Sequence, residues 1–359
     1  MSTILVASGI ALLASILFTP YLIRLFTRQG FGQEIRQEGP HSHQSKRGTP
    51  TMGGVAILLA MWTGYLVAHL TVTRHGTTAS ALLVLLLTTV LGVVGFLDDL
   101  IKVRRQRNLG LNKTAKLVGQ LVAAVLFGIL AMGFRDSDGI SPASIHLSFV
   151  RDVAVVSFGV VGFVVFSYLL VSAWSNAVNL ADGLDGLAAG AAAMVLVTYV
   201  IVSFWQYTRD CTLQAVPGCY TVRDPLDVAV VAAAAVGGCI GFLWWNAPPA
   251  KIFMGDTGSL SLGGALAGLG IMTRTELLVL LLGGLFVIVT ASVILQVGWF
   301  KVTKRTTGVG KRLFLMTPLH HHFEMLGWEQ VNVVVRFWII SGLCVATGLG
   351  LFYAEWVAG

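Results

Sequence analysis

Long apolar segments separated by short polar loops run through the whole of this 359-residue chain. Each segment is close to the roughly 20 residues that a helix needs to cross a bilayer. The apolar residues are continuous rather than alternating, which favours helices over a membrane barrel. We therefore predict an all-α, polytopic membrane protein of about ten transmembrane helices, with residues 1–359 forming a single integral membrane domain. The predicted spans are Ile4–Phe26, Gly54–Val72, Ala81–Leu97, Ala115–Phe134, Val153–Trp174, Leu184–Trp205, Val228–Trp245, Leu260–Met272, Leu277–Phe300 and Val333–Tyr353.

The composition agrees with this membrane assignment. Hydrophobic residues make up 55% of the chain and charged residues only 11%, whereas an ordinary soluble protein carries about 25% charged residues. The charge deficit therefore argues against a soluble fold.

The distribution of Lys and Arg predicts which loops face the cytoplasm. If the N-terminus lies outside, only six of the 24 basic residues fall in outer loops, and an even number of crossings places both termini outside. The formal net charge of +7 then reflects an excess of Lys and Arg on the cytoplasmic face. These residues can bind anionic lipid or an anionic substrate. No segment is typical of a nucleic-acid-binding module. The six outer residues are Arg74, Arg135, Arg151, Arg209, Arg223 and Arg274.

Five aspartates lie next to apolar segments on the predicted cytoplasmic side. Ionised carboxylates are costly near hydrocarbon, so acids held at that boundary need a cationic partner. We therefore predict a divalent metal and a phosphate-bearing substrate at this membrane face. The five are Asp98, Asp99, Asp182, Asp185 and Asp256.

Asp98 and Asp99 follow the apolar run Val-Val-Gly-Phe-Leu and precede a basic loop. They could be solvated acids at the end of a helix, but there they would oppose the helix dipole. We favour an interpretation in which one acid meets a metal or phosphate and the other acts as a base or orienting group.

Asp182 and Asp185 could simply cap the helix that follows them, as an N-cap and an acid three residues on. The neighbouring amides of Asn176 and Asn179 favour a binding site. Amides and acids between two membrane spans supply the donors and acceptors that a nucleobase or sugar needs.

Asp256 lies between two glycines in Gly255-Asp256-Thr257-Gly258. Glycines allow the backbone to approach a ligand closely, and the helix that follows offers its N-terminus to an anion. Magnesium typically takes one or two carboxylates and completes its shell with waters and phosphates. The alternative is a plain N-cap.

Three consecutive histidines, His320, His321 and His322, lie inside the chain. Adjacent side chains point in different directions, whereas zinc sites use spaced ligands. Donors to a pyrophosphate and a local fold element are two interpretations that remain open. Separately, Cys211 and Cys219 share one predicted outer loop, where a disulfide is a hypothesis.

Five stretches, taken together, resemble the phospho-N-acetylmuramoyl-pentapeptide transferases, also called translocase I, of bacterial peptidoglycan synthesis. The Asp-Asp, Asn-x-x-Asn and Gly-Asp elements are similar to those of the wider polyprenyl-phosphate sugar-1-phosphate transferase superfamily. The triple His followed by an aromatic residue and Glu is similar to the muramoyl-pentapeptide branch. The stretches are Lys46–Gly54, Gly95–Asp99, Asn176–Asn179 together with Asp182–Leu187, Phe253–Ser259 and Pro318–Glu324.

The resemblance implies a ten-helix, homodimeric enzyme of the plasma membrane whose active site faces the cytoplasm. It would transfer phospho-MurNAc-pentapeptide from UDP-MurNAc-pentapeptide to undecaprenyl phosphate or a related polyprenyl phosphate. The products would be lipid I and UMP, and the reaction would require Mg²⁺.

Residue roles follow from the same resemblance, position by position. Asp256 is the expected magnesium ligand, with Asp98 and Asp99 as further metal-binding and catalytic acids. Asp98 is also the expected base or lipid-phosphate partner. His320–His322 would line the pyrophosphate side as catalytic residues. The expected substrate-binding residues are Lys46, Thr51, Asn176, Asn179, Asp182, Asp185, Asn246 and Phe253, the last suited to stack on uracil.

Phosphoryl transfer needs positioning and charge neutralisation more than covalent help. Direct attack and a two-step route through an aspartyl intermediate both remain open, and we favour direct attack. A GlcNAc-1-phosphate transferase acting on UDP-GlcNAc is the alternative function, against which the triple His argues. A proton- or metal-coupled transporter is a third hypothesis, which the absence of a convincing internal repeat and the clustering of acids at one face disfavour.

Overall fold

The computed structural model describes residues 1–32, 46, 48–73, 76–106, 110–213 and 218–358. Within these ranges it contains twelve α-helices and one short hairpin, which confirms the predicted all-α polytopic class. Nine of the described helices are long and apolar enough to cross a membrane. The helices are α1 (Ser2–Arg28), α2 (Gly54–Ala68, continued by a π-helical turn over His69–Thr73), α3 (Ala79–Arg104), α4 (Lys113–Gly133), α5 (Gly159–Ala181), α6 (Leu187–Thr208), α7 (Pro225–Asn246), α8 (Gly255–Met272), α9 (Leu278–Leu282), α10 (Gly284–Thr307), α11 (Leu319–Met325) and α12 (Gln330–Ala358).

Helix α8 differs from the predicted eighth span, which began only at Leu260. It starts five residues earlier, at Gly255, and is buried from Thr257 to Met272. It packs against α3 and α5, and glycines let the backbones come together: an added Cβ at Gly95 would meet the Asp256 backbone. Small residues at helix contacts are typical of membrane bundles, and here they bring Asp256 next to α3.

The predicted ninth span is not continuous. The structure divides Leu277–Phe300 into the short α9 and the longer α10, with the interruption at Gly283. The neighbouring residue is also a glycine, and two consecutive glycines weaken a helix at this point. An added Cβ at Gly283 would meet the Trp174 ring, so the break also makes room for a large buried side chain.

The predicted third span ended at Leu97, just before the paired acids, and this boundary is wrong. Helix α3 continues to Arg104, so Asp98 and Asp99 lie inside it and not at its end. Within this extension Lys102, one turn after Asp98, forms an ion pair with it at 2.6 Å, and pairs at this spacing stabilise a helix. The acids are therefore held on a rigid element.

The candidate site lies where several helix ends meet at one end of the bundle. Helix α8 packs against α3 and α5, and α4 packs against both α3 and α5. Because α3 and α5 end where α4 and α8 begin, the paired acids of α3, the amides of α5 and the first turn of α8 are gathered in one place.

The opposite end of the bundle carries the described hairpin, strands β1 (His146–Ser148) and β2 (Asp152–Ser157), which pair antiparallel. Its turn residue Arg151 donates from Nη2 to the carbonyl of Gly218 at 2.7 Å. Gly218 precedes Cys219, and the structure joins Cys211 and Cys219 in a disulfide, as hypothesised from the sequence.

Candidate active site

The adjacent acids Asp98 and Asp99 form one cluster with Asp256, which lies 157 residues after Asp99 in the sequence. Carboxylate oxygens of Asp98, Asp99 and Asp256 all lie within 4.8 Å of one another. Asp98 and Asp99 are buried on α3, and Asp256 is half-buried in the first turn of α8. The structure therefore brings together the acids that sequence analysis assigned to the metal and the reacting phosphates.

Asp99 holds the N-terminus of α8. Its Oδ1 accepts a hydrogen bond from the Asp256 amide at 3.1 Å, and its Oδ2 accepts from the Thr257 amide at 3.0 Å and hydroxyl at 2.9 Å. The first amides of a helix have no partner within the helix, so an acid from a neighbouring helix replaces a local cap. Asp99 thus fixes the backbone from which the Asp256 side chain projects.

Asp98 lies at the junction of α3 and α4. Its Oδ1 accepts a hydrogen bond from the Leu111 amide at 2.8 Å, and its Oδ2 is 2.6 Å from Nζ of Lys102. An added Cβ at Gly110 would meet the Asp98 carboxylate, so only glycine leaves room for this approach.

Asp256 is surrounded by cationic and amide donors. Its Oδ2 is 2.7 Å from Nζ of Lys116 and 3.2 Å from Nζ of Lys102. Its Oδ1 accepts a hydrogen bond from Nδ2 of Asn179 at 2.8 Å. The ammonium groups of Lys102 and Lys116 thus offset part of the negative charge of the three clustered acids.

Lys116 is a functional candidate that the sequence analysis missed. It lies on α4, 140 residues before Asp256, and nothing in its local sequence separates it from the other basic residues of the inner loops. The only available signal was its position within the first turn of a helix that follows the Asp98 loop.

The acid cluster has a donor set that suits a hard divalent cation. Magnesium prefers oxygen ligands, usually one or two carboxylates together with waters and phosphates. Carboxylate oxygens of Asp98, Asp99 and Asp256 are close enough to contribute to one such ion. Asp99 accepts its three hydrogen bonds from α8, whereas lysine ammonium groups contact Asp98 and Asp256.

The two predicted amides on α5 face different neighbours. Asn179 donates to both Asp256 and Ser259, each at 2.8 Å, and so belongs to the acid cluster. Asn176 donates to Gln120 of α4 at 3.3 Å and to the Ser172 carbonyl at 2.7 Å. Asn176 is therefore turned toward α4, where it connects two helices.

Asp182 and Asp185 lie in the loop between α5 and α6, and neither caps α6. The N-cap position belongs to Gly186, which has a positive φ of 77°, while Asp182 is the C-cap residue of α5. Burial raises the pKa of the Asp182 carboxyl well above its usual range, and the nearby carboxylates of Asp256 and Asp99 raise it further. The capping interpretation of this pair is wrong.

Asp185 contacts Lys46, another residue of the predicted nucleotide site. Its Oδ1 is 2.8 Å from Nζ of Lys46, and its Oδ2 accepts a hydrogen bond from the Ala250 amide at 3.1 Å. The same Lys46 ammonium donates to Oε1 of Gln330 at 2.6 Å. Lys46 is therefore held between an acid from the α5–α6 loop and an amide at the start of α12.

Asn246 is fully engaged with the backbone. Its Oδ1 accepts from the Gly186 amide at 3.0 Å, and its Nδ2 donates to the Ile252 carbonyl at 2.9 Å. The side chain is buried. In this structure Asn246 joins the two loops that contain Asp185 and Phe253, so it shapes the predicted substrate site.

Thr51 and Phe253 lie on adjacent loop segments. The Phe253 amide donates to the Pro50 carbonyl at 2.8 Å, and its carbonyl accepts from the Gly53 amide at 2.9 Å. Thr51 is buried, and an added Cβ at Gly255 would come 2.8 Å from its hydroxyl. Phe253 is only partly buried, which leaves its ring available to a ligand.

The three histidines on α11 have different surroundings. His320 is buried, and an added Cβ at Gly183 would meet both His320 and His321, which places these two rings against the Asp182 loop. His321 pairs with Glu324 at 2.7 Å. His322 accepts a hydrogen bond from the Leu315 amide at 3.2 Å, so it contacts the segment that precedes α11.

Comparisons with known proteins agree with this geometry. The family model described as Glycosyl transferase family 4 matches residues 81–274, and a phospho-N-acetylmuramoyl-pentapeptide-transferase signature matches residues 46–58. The chain belongs to the phospho-N-acetylmuramoyl-pentapeptide transferase family. A transferase of this name from Saccharopolyspora erythraea is 64% identical over 100% of this chain and 98% of its own length. Relatives of the same name from Rhodococcus jostii and Mycobacterium avium are 63% and 59% identical, each over 100% of this chain and 99% of their own length.

The two matched ranges cover most of the candidate active site, although the histidines of α11 lie outside them. The first matched range contains the acids of α3 and α8, and the signature contains Lys46 and Thr51. The resemblance inferred from the sequence is thereby confirmed. The signature and the relatives support the muramoyl-pentapeptide branch and do not support the GlcNAc-1-phosphate alternative.

Proposed function

We propose that this chain transfers phospho-MurNAc-pentapeptide from UDP-MurNAc-pentapeptide to undecaprenyl phosphate or a related polyprenyl phosphate, giving lipid I and UMP. The observation that carries the proposal is the convergence of Asp98, Asp99 and Asp256 with two lysines in a chain that is 64% identical, over its full length, to a transferase of that name. The reaction belongs to peptidoglycan synthesis.

The lysines of the cluster provide the charge neutralisation that the reaction needs. The two substrates each bring phosphate groups, which repel one another as they approach. Lys102 and Lys116 present ammonium groups within 3.2 Å of one Asp256 oxygen, so an incoming phosphate would meet positive charge at the point where it approaches the acids. Electrostatic stabilisation of this kind is usually the largest single contribution to catalysis.

We propose Mg²⁺ as the cofactor, held by Asp256 and Asp98. When bound, the ion would polarise phosphate oxygens and orient the two reactants. Asp99 keeps these ligands in place by holding the α8 terminus, and Asn179 fixes the other Asp256 oxygen. A polyprenyl phosphate is already anionic near neutral pH, so direct attack on the pyrophosphate is favoured over an aspartyl intermediate.

The nucleotide part of the donor fits the Lys46, Asp185 and Phe253 end of the site. Phe253 offers a partly exposed ring for the uracil base, and aromatic stacking suits a flat heterocycle. The Lys46 ammonium can meet a carbonyl or phosphate oxygen. His320 and His321, beside the Asp182 loop, are proposed to face the pyrophosphate.

We further propose that the site opens to the cytoplasm and that the chain forms a homodimer in the plasma membrane. The excess of Lys and Arg on the loops that carry the site supports the orientation, and the family resemblance supports the dimer. Labelling of a cysteine placed at exposed Lys113, in right-side-out and inverted vesicles, tests the orientation directly.

The decisive experiment measures UMP release by the purified protein. UMP should appear from UDP-MurNAc-pentapeptide only when both Mg²⁺ and a polyprenyl phosphate are supplied. A parallel panel with UDP-GlcNAc tests the alternative sugar. Release from UDP-GlcNAc at the higher rate, or release that does not depend on the lipid phosphate, would overturn the proposal.

A further inference from the structure

Gln330 is a polar residue that neither the sequence analysis nor the proposed chemistry assigns. It is the first residue of α12, and its Oε1 accepts a hydrogen bond from Nζ of Lys46 at 2.6 Å. Its Nε2 is buried and has no hydrogen-bond partner within the described part of the chain. The contact with Lys46 is therefore the interaction that the structure records for this amide.

Lys46 has two acceptors from distant parts of the chain. Asp185, 139 residues away, supplies a carboxylate at 2.8 Å, and Gln330, 284 residues away, supplies the amide oxygen. A lysine ammonium has three donors, so one remains for a ligand. Since the lysine stem is long and flexible, two fixed acceptors restrict the direction of that third donor.

Both acceptors are themselves anchored. Asp185 is buried, and its other oxygen accepts from the Ala250 amide. The start of α12 is held by Trp338, whose indole donates to the Leu187 carbonyl at 3.3 Å, and by Phe337, whose ring lies 6.4 Å from that of His320. Gln330 therefore stands on an element that is tied to α6 and to the histidine helix.

We infer that Gln330 is a positioning residue for the UDP-sugar substrate, acting through the ammonium group of Lys46. This inference rests on the proposed role of Lys46 in binding the donor nucleotide. Gln330 itself contributes an acceptor oxygen that directs Lys46.

The test compares two substitutions of similar length. Gln330→Met removes the acceptor but keeps the volume, and Gln330→Glu keeps an acceptor oxygen. We expect Gln330→Met to raise KM for UDP-MurNAc-pentapeptide about threefold to tenfold, with kcat within about twofold, because one hydrogen bond to a charged group is lost. Gln330→Glu should restore KM to within about threefold of the unaltered protein.

A matched control and a double variant separate this role from simple packing. Asn332→Leu, an amide-to-apolar change at an exposed position of the same helix, should leave KM and kcat unchanged. In a Lys46→Met background, Gln330→Met should have no further effect on KM, because the residue acts through Lys46. If Gln330→Met does not fold, Gln330→Ala gives the same comparison.

The outcomes distinguish this inference from the proposed function. An unchanged KM in Gln330→Met, an equal rise in Gln330→Glu, or a rise that persists in the Lys46→Met background would each overturn the positioning role. If Lys46→Met alone leaves KM unchanged, the proposed nucleotide role of Lys46 is wrong, and the inference falls with it. UMP release that still requires the lipid phosphate would leave the transferase function intact.

Discussion

Asp99 of α3 accepts hydrogen bonds from both the amide and the hydroxyl of Thr257, at 3.0 and 2.9 Å, across an interval of 158 residues. The two helices are thereby joined at the point where Asp256 projects. Asp99 thus has a structural task, whereas Asp98 and Asp256 present oxygens that a cation or phosphate can share. The adjacent acids Asp98 and Asp99 therefore have different roles.

Removing the Asp99 carboxylate should destabilise the protein. Asp99→Ala leaves the buried amides at the start of α8 without an acceptor, which costs about 1–3 kcal/mol per unpaired group. Thermal unfolding in detergent should show a lower Tm, while Asp138→Ala in an exposed loop should not change it. An unaltered Tm for Asp99→Ala would show that the α8 terminus does not depend on this acid.

Asp256→Asn should abolish turnover while the protein still folds. The substitution removes a carboxylate that two lysines and the proposed metal share, and we expect a fall in kcat of about 100-fold or more. UMP release measured against Mg²⁺ concentration checks this, with Asp138→Asn as the control. Normal Mg²⁺-dependent turnover would remove Asp256 from the metal site.

Lys116→Gln should slow the reaction without unfolding the helix. The lysine ammonium lies 2.7 Å from Asp256, and its loss leaves less positive charge for the approaching phosphates. We expect kcat to fall about 10-fold to 100-fold. Lys113→Gln, an exposed position one turn earlier, is the matched control; equal rates for both variants would contradict a role for Lys116.

Phe253→Ala should weaken binding of the nucleotide donor more than binding of the lipid acceptor. Loss of one aromatic stacking contact predicts a rise in KM for the UDP-substrate of about threefold to tenfold. Phe253→Tyr should retain most of the affinity, since the ring is kept. If the apparent affinity for the UDP-substrate is the same in Phe253→Ala, stacking on uracil is rejected.

We expect the stability of the folded protein to depend on pH through Glu276, a buried acid at the end of the bundle opposite the candidate site. Burial raises the pKa of this carboxyl from about 4.5 to about 8, against the opposing effect of nearby Arg274. The folded state favours the neutral acid. The contribution of Glu276 to the free energy of unfolding is therefore present in full below about pH 4.5 and is lost as the pH rises through about 8.

Thermal unfolding of the unaltered protein and of Glu276→Gln, measured between about pH 5 and about pH 9, checks this. The unaltered protein should lose more stability than Glu276→Gln as the pH rises. Glu355→Gln at an exposed position near the chain end should behave like the unaltered protein. Parallel curves for all three would exclude Glu276 as the titrating group.

The helices and the acids could be predicted from sequence because both leave local signals. Continuous apolar runs identify spans, and an acid such as Asp256 between glycines is unusual beside hydrocarbon. The length of α8 was not predictable in the same way, because its glycines and serines lower its hydropathy. It is a helix because its neighbours bury it.

The contacts that complete the site leave no such signal. Lys116 and Gln330 are unremarkable in their own segments, and each acquires its place only when helices more than 100 residues apart pack together. The backbone role of Asn246 was likewise hidden, because an amide that joins two loops looks the same in sequence as one that meets a sugar.

The burial of α8 from Thr257 to Met272 has a consequence for how the protein is made. A segment with no face toward the lipid gains little from entering the bilayer alone, and its glycines and serines make spontaneous insertion weaker still. We expect α8 to enter the membrane together with α3 and α5. Asp256, the proposed metal ligand, would then reach its position only when α8 packs against these helices. A protein in which this packing is incomplete would have no activity.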